Sequence, residues 1–485
     1  MFIKKVCAYL IAVIPLLFMS LHLAAQAAPP AGYSVGSPAQ GIDVMQQLNA
    51  SQNPLSGSRV VPLQPGTVNL TLLDAIDRGL KYNLGIILTQ QGNESARAAR
   101  IRALSELLPH VDARIGESVL QINLAAYGFP PPAGTPAVIG PFSVFDTRAN
   151  VTEKLSFQHL YEKRAADQNL SAAKFSYQNT RDLVVLVTGA SYLQALADSS
   201  RVDSVTAQVQ TAQALYDQAL NLKNAGMTAG IDVLRAQVEL QAQQQRLLVA
   251  QNDYDKQLLS LARVIGIPMG QDFKLADKIP FASPVPITFD EALKRAFEKR
   301  SDYQQAQAQL RSADLSKRAA EAQRLPSLGF NGDYGVLGKT PGNSHGTFTA
   351  AAGISIPIFQ GGKIEADVIQ AESVRQQRQA ELDDLRQRIE YEVRTAFLDV
   401  NAATKQLEVA TSALEVSRQQ VIQSHDRFSA GVTNTVEVVQ AQEQRATAEE
   451  NYIGSLYAHN VAKLNLARAL GVTEDATKRF LGGQH

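Results

Sequence analysis

The side chains that most often carry catalysis or bind metals occur in this 485-residue chain without the spacing that either task requires. No two histidines are spaced as a zinc site would need. There is no nucleophile elbow, no phosphate-binding glycine loop and no HExxH sequence. The sequence therefore indicates a protein that is not an enzyme and needs neither a metal nor another cofactor. The seven histidines are His22, His110, His159, His345, His425, His459 and His485.

Three charged residues stand out because they alternate with apolar ones. Asp146, Arg148 and Lys154 fall between apolar residues that include Phe145 and Phe157. In a strand, successive side chains point to opposite faces, so this pattern predicts one polar and one apolar face. Charged side chains on a water-lined face could tune ion preference. Because the water-lined face of any barrel must be polar, we favour the interpretation that these residues serve as polar lining over the interpretation that they tune ion preference.

The composition constrains the partners and points to export. The 46 basic and 46 acidic residues balance, which argues against nucleic acid as a partner. The basic start MFIKK, the apolar run that follows and the small residues Ala25-Gln26-Ala27 predict a signal peptide over 1–27, with an uncleaved anchor as the alternative. Cys7, the only cysteine, lies inside it. No later run is long enough for a membrane-spanning helix, so any crossing must use strands.

The second half of the chain repeats the first. TLLDAIDRGLKYN from Thr71 matches TFDEALKRAFEKR from Thr288, and AGMTAGIDVLRAQ from Ala225 matches AGVTNTVEVVQAQ from Ala430. Two units of nearly 200 residues indicate one fused duplication rather than short solenoid repeats. The predicted organisation is a flexible Pro/Gly-rich extension over 28–66, a first repeat over 67–270, a linker over 271–286, a second repeat over 287–472 and a tail over 473–485.

Each repeat is predicted to contain the same elements in the same order. A short helix and a second helix end at a proline, Pro109 or Pro326. Two strands follow, then a helix of about 60–65 residues, a turn and a helix of about 35. The long helix should span roughly 90–100 Å, beside the two shorter helices stacked end to end. The strands are predicted at about 111–124, 144–157, 327–336 and 346–359, with a bulge near Gly116.

The four strands predict an oligomer. Their length suits a tilted crossing of a bilayer. A sheet in lipid must close, because free edges would leave peptide groups unpaired, and four strands cannot close around a channel. Several subunits must therefore contribute strands, with apolar faces toward lipid and polar faces toward water.

Several short sequences in this order closely resemble the TolC family of outer-membrane efflux proteins. They are IPIFQGGK (Ile356–Lys363), the two turns AGMTAGIDVL and AGVTNTVEVV, and the VIG and ALG that end at Gly266 and Gly471. The resemblance covers nearly everything from 70 to 472. It implies a mainly α protein whose homotrimer builds a 12-stranded β-barrel in the outer membrane, continued by a periplasmic α-helical barrel. It also implies a periplasmic adaptor and an inner-membrane pump that supplies the energy.

The resemblance also implies a periplasmic aperture at the second turn. The family's latch uses a Tyr and an Arg, with two Asp residues around the opening; the matching positions here are Phe428, Thr433, Glu437 and Gln440. Since only Glu437 keeps an acidic character, the familiar latch is not expected. A ring of Glu437 would favour cations. The alternative is an ordinary acidic residue near a helix N-terminus.

The two turns are further expected to dock the adaptor, again by family resemblance. The candidate residues are Gly226, Thr228, Asp232, Gly431 and Thr433. Gly226 and Gly431 are expected to serve the turn geometry itself. Asp232 is expected to be a favourable first-turn acid.

Two hypotheses remain from different classes. The favoured one is a passive trimeric duct of the outer membrane that exports small molecules or polypeptides. The alternative is a periplasmic coiled-coil adaptor or scaffold that never spans lipid. An adaptor would carry one helical hairpin beside lipoyl-like segments, whereas this sequence predicts two hairpins and two strand pairs. The sequence does not indicate the cargo.

Overall fold

The computed structural model describes residues 53–474, except for 60, 64–65, 129–133, 135, 228, 278–286, 431 and 434. The predicted signal peptide, most of the predicted extension, much of the linker and nearly all of the tail therefore lie outside the described residues. Within them the predicted fold class is confirmed: the chain is mainly helical, and each repeat has two long strands and a helical hairpin.

The two repeats contain corresponding helices and long strands in the same order. The first contains β1 (Val68–Leu70), α1 (Leu72–Tyr82), α2 (Leu84–Ser105), β2 (His110–Asn123), β3 (Val138–Leu155), α3 (Phe157–Asn224) and α4 (Gly230–Ile265). Between the repeats lies β4 (Phe273–Leu275), which pairs with β1 in parallel. The second contains α5 (Phe289–Lys299), α6 (Ser301–Ala322), β5 (Ser327–Gly338), β6 (Ser344–Ser355), α7 (Lys363–Ser429) and α8 (Thr435–Ala469).

Local sequence explains where the short helices begin. Thr71 caps α1 and exchanges hydrogen bonds with Asp74, and Thr288 caps α5 in the same way with Glu291. Such capping boxes satisfy amide groups that the first helical turn leaves free. The duplication thus extends to the same cap at the same position in both repeats.

The long helices reach 68 residues in α3 and 67 in α7, slightly more than predicted. Each contacts two shorter helices of its own repeat: α3 packs on α2 and α4, and α7 packs on α6 and α8. We call α3 with α4 hairpin 1, and α7 with α8 hairpin 2. In the sequence of α7, ten apolar residues recur at intervals of three or four, which predicts a buried coiled-coil seam. This prediction is confirmed, because all ten are buried: Leu382, Leu385, Ile389, Val393, Ala396, Val400, Ala403, Leu407, Ala410 and Leu414.

The four long strands form one antiparallel sheet in the order β2-β3-β5-β6. The registers place large apolar side chains of all strands on one face, and most of them are exposed. The opposite face is polar. Exposed residues of the apolar face include Val111, Ile115, Val119, Leu328, Phe330, Tyr334, Phe348 and Ile354.

Three details of the predicted strands are wrong. β3 begins at Val138 rather than near 144, because residues 138–143 pair with the far end of β2. Pairing of β2 with β3 is continuous through Gly116, which lies opposite Asp146, and the irregularity comes later, between Leu120 and Ile122. The change of side-chain polarity near Gly116 is therefore not a change of backbone register. In addition, β6 ends at Ser355 rather than near 359, because β5 begins opposite it at Ser327 and offers no further partner.

A buried tyrosine connects hairpin 1 to the segment between the repeats. The Tyr192 hydroxyl lies 2.8 Å from the carbonyl oxygen of Leu70 and 2.9 Å from the Asp277 carboxylate. The same carboxylate accepts a 2.7 Å hydrogen bond from the amide of Leu72. Burial, together with the hydrogen bond to Asp277, raises the pKa of Tyr192. Through these hydrogen bonds, Tyr192 of α3 and Asp277 after β4 connect their segments to each other and to the start of α1.

Replacing Tyr192 with Phe should therefore destabilise the protein by about 1.5–3 kcal/mol, the usual contribution of a hydrogen bond to a charged group. Urea unfolding followed by circular dichroism measures the change. Tyr334→Phe is the matched control, because Tyr334 is 70% exposed. Equal unfolding midpoints for the two variants would contradict the expected role of the Tyr192 hydroxyl.

None of the helices in the described part of the chain combines the length and apolar character needed to span a membrane.

Candidate functional site

The turn of hairpin 1 has the geometry expected of a glycine-ended helix. Gly226 has a left-handed backbone, with φ of 73°. Its amide donates to the carbonyl of Lys223, and the amide of Met227 donates to that of Leu222. These two bonds form a Schellman motif, which satisfies carbonyls at the end of α3. Thr228, a predicted docking residue, lies outside the described residues.

The turn of hairpin 2 repeats this geometry. The amide of Val432 donates a 2.9 Å hydrogen bond to the carbonyl of Arg427, as the amide of Met227 does to the carbonyl of Leu222. Gly431 lies outside the described residues. Both hairpins therefore reverse direction through an equivalent hydrogen bond at the same place in the repeat.

Glu437 is tied to the same turn by two side chains. The Thr433 hydroxyl donates a short hydrogen bond to its carboxylate. The Nε of Arg427, on the other arm of the hairpin, lies 3.3 Å from the carboxylate. The sequence prediction included Thr433 and Glu437 but missed Arg427. The two charges lie five residues on either side of Val432, and this symmetry about the turn is the signal that could have revealed the pair.

The other predicted residues of the tips are not drawn into this contact. Phe428 is half-buried in the last turn of α7, and Gln440 is exposed on α8. Asp232 pairs with Arg235 within the first turn of α4, at 3.4 Å. Beside them, an apolar groove runs between the two hairpins at the tip. Its lining includes Ile231, Leu234, Val238, Val436, Val439 and Gln440.

The polar face of the sheet contains a compact charge cluster. Arg148 lies 2.7 Å from Asp146 and 2.8 Å from Asp333, so two of the predicted residues are neighbours and Asp333 was missed. Lys154 is exposed on the same face. Arg148 is thus shared between two carboxylates rather than free to present a positive charge.

A second set of polar contacts joins the two hairpins above the tips. Arg201 of α3 forms two hydrogen bonds of 2.6 and 2.7 Å with Glu450 of α8. Arg246 of α4 lies 3.2 Å from Glu443 of α8. We call these two ion pairs the inter-hairpin ties. The sequence prediction missed all four residues, because they are nearly 200 or more positions apart.

At the level of the inter-hairpin ties, Glu449 of α8 also contacts uncharged side chains of α3. Its carboxylate accepts hydrogen bonds from Ser204 and Gln208 of α3, and from Arg445 of its own helix. Burial works against ionisation of Glu449, but these hydrogen bonds and Arg445 outweigh it and hold its pKa below the usual value. The charged form of Glu449 is therefore the one that joins the hairpins.

Exposed apolar side chains concentrate on the helices at the two sides of the chain. On one side are α2 and α4, and on the other is α7. Among the described residues, neither α6 nor α8 has an exposed large apolar side chain. The exposed residues are Leu84, Leu88 and Ile101 of α2; Ile231, Leu234, Val238, Leu248, Val249 and Leu259 of α4; and Ile369, Val374, Tyr391, Leu398, Val409, Val416 and Ile422 of α7.

The described residues contain no group of three or more His, Cys, Asp or Glu side chains placed to hold a metal ion.

Comparisons with known proteins agree on one family. The model of the outer membrane efflux protein family matches residues 292–472. Outer membrane protein TolC of Escherichia coli K12 is 23% identical over 334 residues, which are 65% of this chain and 66% of TolC, just under two thirds of that relative. The probable efflux pump outer membrane protein SepC of Pseudomonas putida is 23% identical over 458 residues, covering 91% of this chain and 92% of SepC.

A solved structure shares the fold at lower identity. The CmeC outer membrane channel of Campylobacter jejuni aligns with a TM-score of 0.72 and 16% sequence identity, covering 95% of this chain and 97% of CmeC.

Proposed function

We propose that this chain is a member of the TolC family of outer membrane efflux proteins and the subunit of a homotrimeric export duct. The duct crosses the outer membrane through strands and extends into the periplasm through the hairpins. It is a passive conduit for small molecules or polypeptides and not an enzyme. An inner-membrane pump supplies the energy through a periplasmic adaptor.

The observation that carries the proposal is that, among the described residues, no element covers either side of the chain. β2 and β6 are the edge strands of the sheet, and each presents a free row of backbone groups. The exposed apolar side chains of the helices occur on the same two sides, on α2 and α4 and on α7. A closed ring of copies would cover both edges together, which a single chain cannot do.

The chain also contains an internal template for that ring. Within one chain, α3 packs on α6, the corresponding second helix of the other repeat. The repeat counterpart of α3 is α7, and the counterpart of α6 is α2. Packing α7 on α2 of the next copy would therefore repeat a contact that already exists inside the chain. Three copies would contribute twelve strands.

The sheet suits a membrane-crossing wall. Its apolar face is exposed over all four strands, as lipid contact requires, and its opposite face is polar. The apolar groove at the tips, with Gly226, Asp232 and Thr433 in the turns beside it, is the proposed docking surface for the adaptor. Thr228 and Gly431, the other two predicted docking residues, lie outside the described residues.

The proposal is tested on detergent-extracted outer membranes. The protein should migrate as a trimer that heat converts to a monomer, and the purified protein should conduct ions in planar bilayers. The competing function, a periplasmic adaptor or scaffold, predicts a protein recovered wholly in the soluble periplasm with no conductance. That result would overturn the duct.

Removing either partner of the charge pair at the second turn is expected to change the cation preference of the duct, in opposite directions for the two partners. Glu437→Ala should weaken cation preference and block by multivalent cations, because it leaves Arg427 unpaired at the proposed aperture. Arg427→Ala should strengthen both, because it frees three Glu437 carboxylates in the ring.

Reversal potentials in a salt gradient measure this preference. Arg235→Ala, which removes the other arginine paired within a tip, serves as the control. If Glu437→Ala and Arg427→Ala leave the reversal potential unchanged, the selective ring lies elsewhere.

A further inference from the structure

The periplasmic ends of β3 and β6 differ in a way that the duplication does not predict. β2 begins at His110, opposite Thr152 of β3. β3 nevertheless continues to Leu155, because its other neighbour β5 pairs with it as far as Leu155 opposite Leu328. The last three residues of β3, 153–155, are thus held by β5 alone.

The strand registers identify the counterparts of those three residues. Val111 of β2 pairs with Val151, and Leu328, which lies 217 positions after Val111, pairs with Ile354. Ile354 is therefore the repeat counterpart of Val151, 203 positions later. By the same spacing, residues 356–358 are the counterparts of 153–155.

Residues 356–358 are not a strand in the single chain, and their side chains have little cover. Ile356 is 62% exposed, Ile358 is 95% exposed and the adjacent Phe359 is 85% exposed. β5 cannot pair with them, because it begins at Ser327, opposite Ser355. The neighbour that would correspond to β5 on this side of the sheet is β2 of another copy.

We propose that β2 of a second copy pairs with β6 in one defined register, in which Ile354 lies opposite Ile115, and that this pairing extends β6 through Ile358. The register is that of β3 with β5 carried to the next copy. Val151 pairs with Gly332 inside the chain, and their repeat counterparts are Ile354 and Ile115. The inference rests on the proposed ring and adds the contact that closes it.

The faces of the two strands provide an independent check. In this register Ile354 lies opposite Ile115, and Ile358 lies opposite Val111, and all four side chains are exposed and apolar in the single chain. A shift of one residue would put Ile354 opposite Arg114, and would turn every apolar residue of one strand toward the polar face of the other. The register derived from the repeat is thus one that keeps the apolar face continuous.

Disulfide cross-linking tests the register, since Cys7, in the predicted signal peptide, is the only cysteine. Directly opposed residues have Cα atoms about 4.5–5.5 Å apart, within the range that a disulfide spans. Ile354→Cys combined with Ile115→Cys should therefore give covalent oligomers on denaturing gels without reductant. Ile354→Cys combined with Ala113→Cys or Glu117→Cys should not, because diagonal neighbours lie about 7–8 Å apart.

An intrachain pair is the matched control. Ala149 and Tyr334 are opposed on β3 and β5, so Ala149→Cys with Tyr334→Cys should form a disulfide without producing covalent oligomers. This control shows that oxidation reaches paired strands of this sheet.

The possible outcomes test the strand register and the proposed duct separately. Cross-linking through position 115 alone supports the inference. Cross-linking through position 113 or 117 instead contradicts the register but is compatible with the duct. The absence of cross-linking at all three positions in an intact trimer also contradicts the register and not the duct, and would mean that lipid or another contact covers Ile358. A protein that is monomeric throughout overturns both.

Discussion

Replacing Arg300 with Ala is expected to lower the free energy of unfolding by about 3–5 kcal/mol, as is usual when one partner of a buried ion pair is removed. The Arg300 side chain is only 2% exposed. Its guanidinium donates two hydrogen bonds to Asp302, of 2.6 and 3.0 Å, and one of 2.5 Å to Glu392. Without Arg300, both carboxylates would lose their principal counter-charge in a poorly hydrated site.

The effect should be large because the cluster connects several helices. Arg300 and Asp302 lie at the start of α6, Glu392 lies on α7, and Arg468 of α8 approaches Asp302 to 3.6 Å. Arg468 also donates a 2.6 Å hydrogen bond to Asn179 of α3. Arg300 thus stabilises the junction at which hairpin 2 meets hairpin 1.

The same cluster predicts a pH dependence. Burial raises the pKa of Asp302, but the hydrogen bonds and charge of Arg300, with help from Arg468, outweigh it and hold the pKa below its usual value. A carboxyl with a lowered folded-state pKa stabilises the protein above its unfolded pKa. That contribution is lost as pH falls through the folded-state pKa. In Arg300→Ala this acid-dependent loss should be smaller, because Asp302 no longer has the partner that mainly holds its pKa low.

Urea titrations at neutral and acidic pH measure both effects. Arg378→Ala is the control, since Arg378 is 41% exposed and pairs with Glu381 on its own helix, so a change within about 0.5 kcal/mol is expected. If Arg300→Ala costs no more than Arg378→Ala, the cluster does not stabilise the junction.

The second large effect is expected in gating. Changing both Glu443 and Glu450 to Gln should raise the open probability of the periplasmic end of the proposed duct by about tenfold or more. The change removes the two inter-hairpin ties, and exposed pairs of this kind contribute about 0.2–1 kcal/mol each. If the proposed trimer opens as a unit, its six ties together contribute about 1.2–6 kcal/mol, and every 1.4 kcal/mol is about a factor of ten.

Single-channel recording in planar bilayers measures the open probability directly. Glu408→Gln is the matched control, because Glu408 is an exposed glutamate on α7 of the same hairpin and not one of the two ties. An open probability equal to that of Glu408→Gln would mean that the ties do not hold the closed state. Raised salt should mimic the double variant in the unaltered protein, because it screens exposed pairs.

Much of the fold could be predicted from the sequence because local patterns carry it. The sequence predicts the short helix α5 over about Phe289–Lys299, and the structure has these bounds, since Thr288 and Glu291 cap the helix and the chain leaves helical geometry at Arg300. The seam of α7 was predicted residue by residue, because a spacing of three and four has only one helical interpretation. The duplication then required the second repeat to build what the first builds.

Strand ends were less predictable, for a physical reason. Glu117 lies on the apolar face of β2 and Leu120 on its polar face, so the side-chain pattern changes phase where the backbone does not. A strand's register is set by its hydrogen-bonded neighbour, not by its own polarity. Likewise β6 ends where β5 stops pairing with it, although its alternating pattern continues to Ile358.

The sequence by itself determined the repeated elements, their order and the two-faced strands, since each depends on neighbours a few residues away. Only the tertiary structure decided which charges meet. Arg427 reaches Glu437 across a turn, Arg148 reaches Asp333 across a sheet, and Arg201 reaches Glu450 between hairpins. Each contact depends on the rotation of one element against another, which is set by packing over the whole interface. A periodic pattern predicts which face is buried, but it does not specify the opposing side chain.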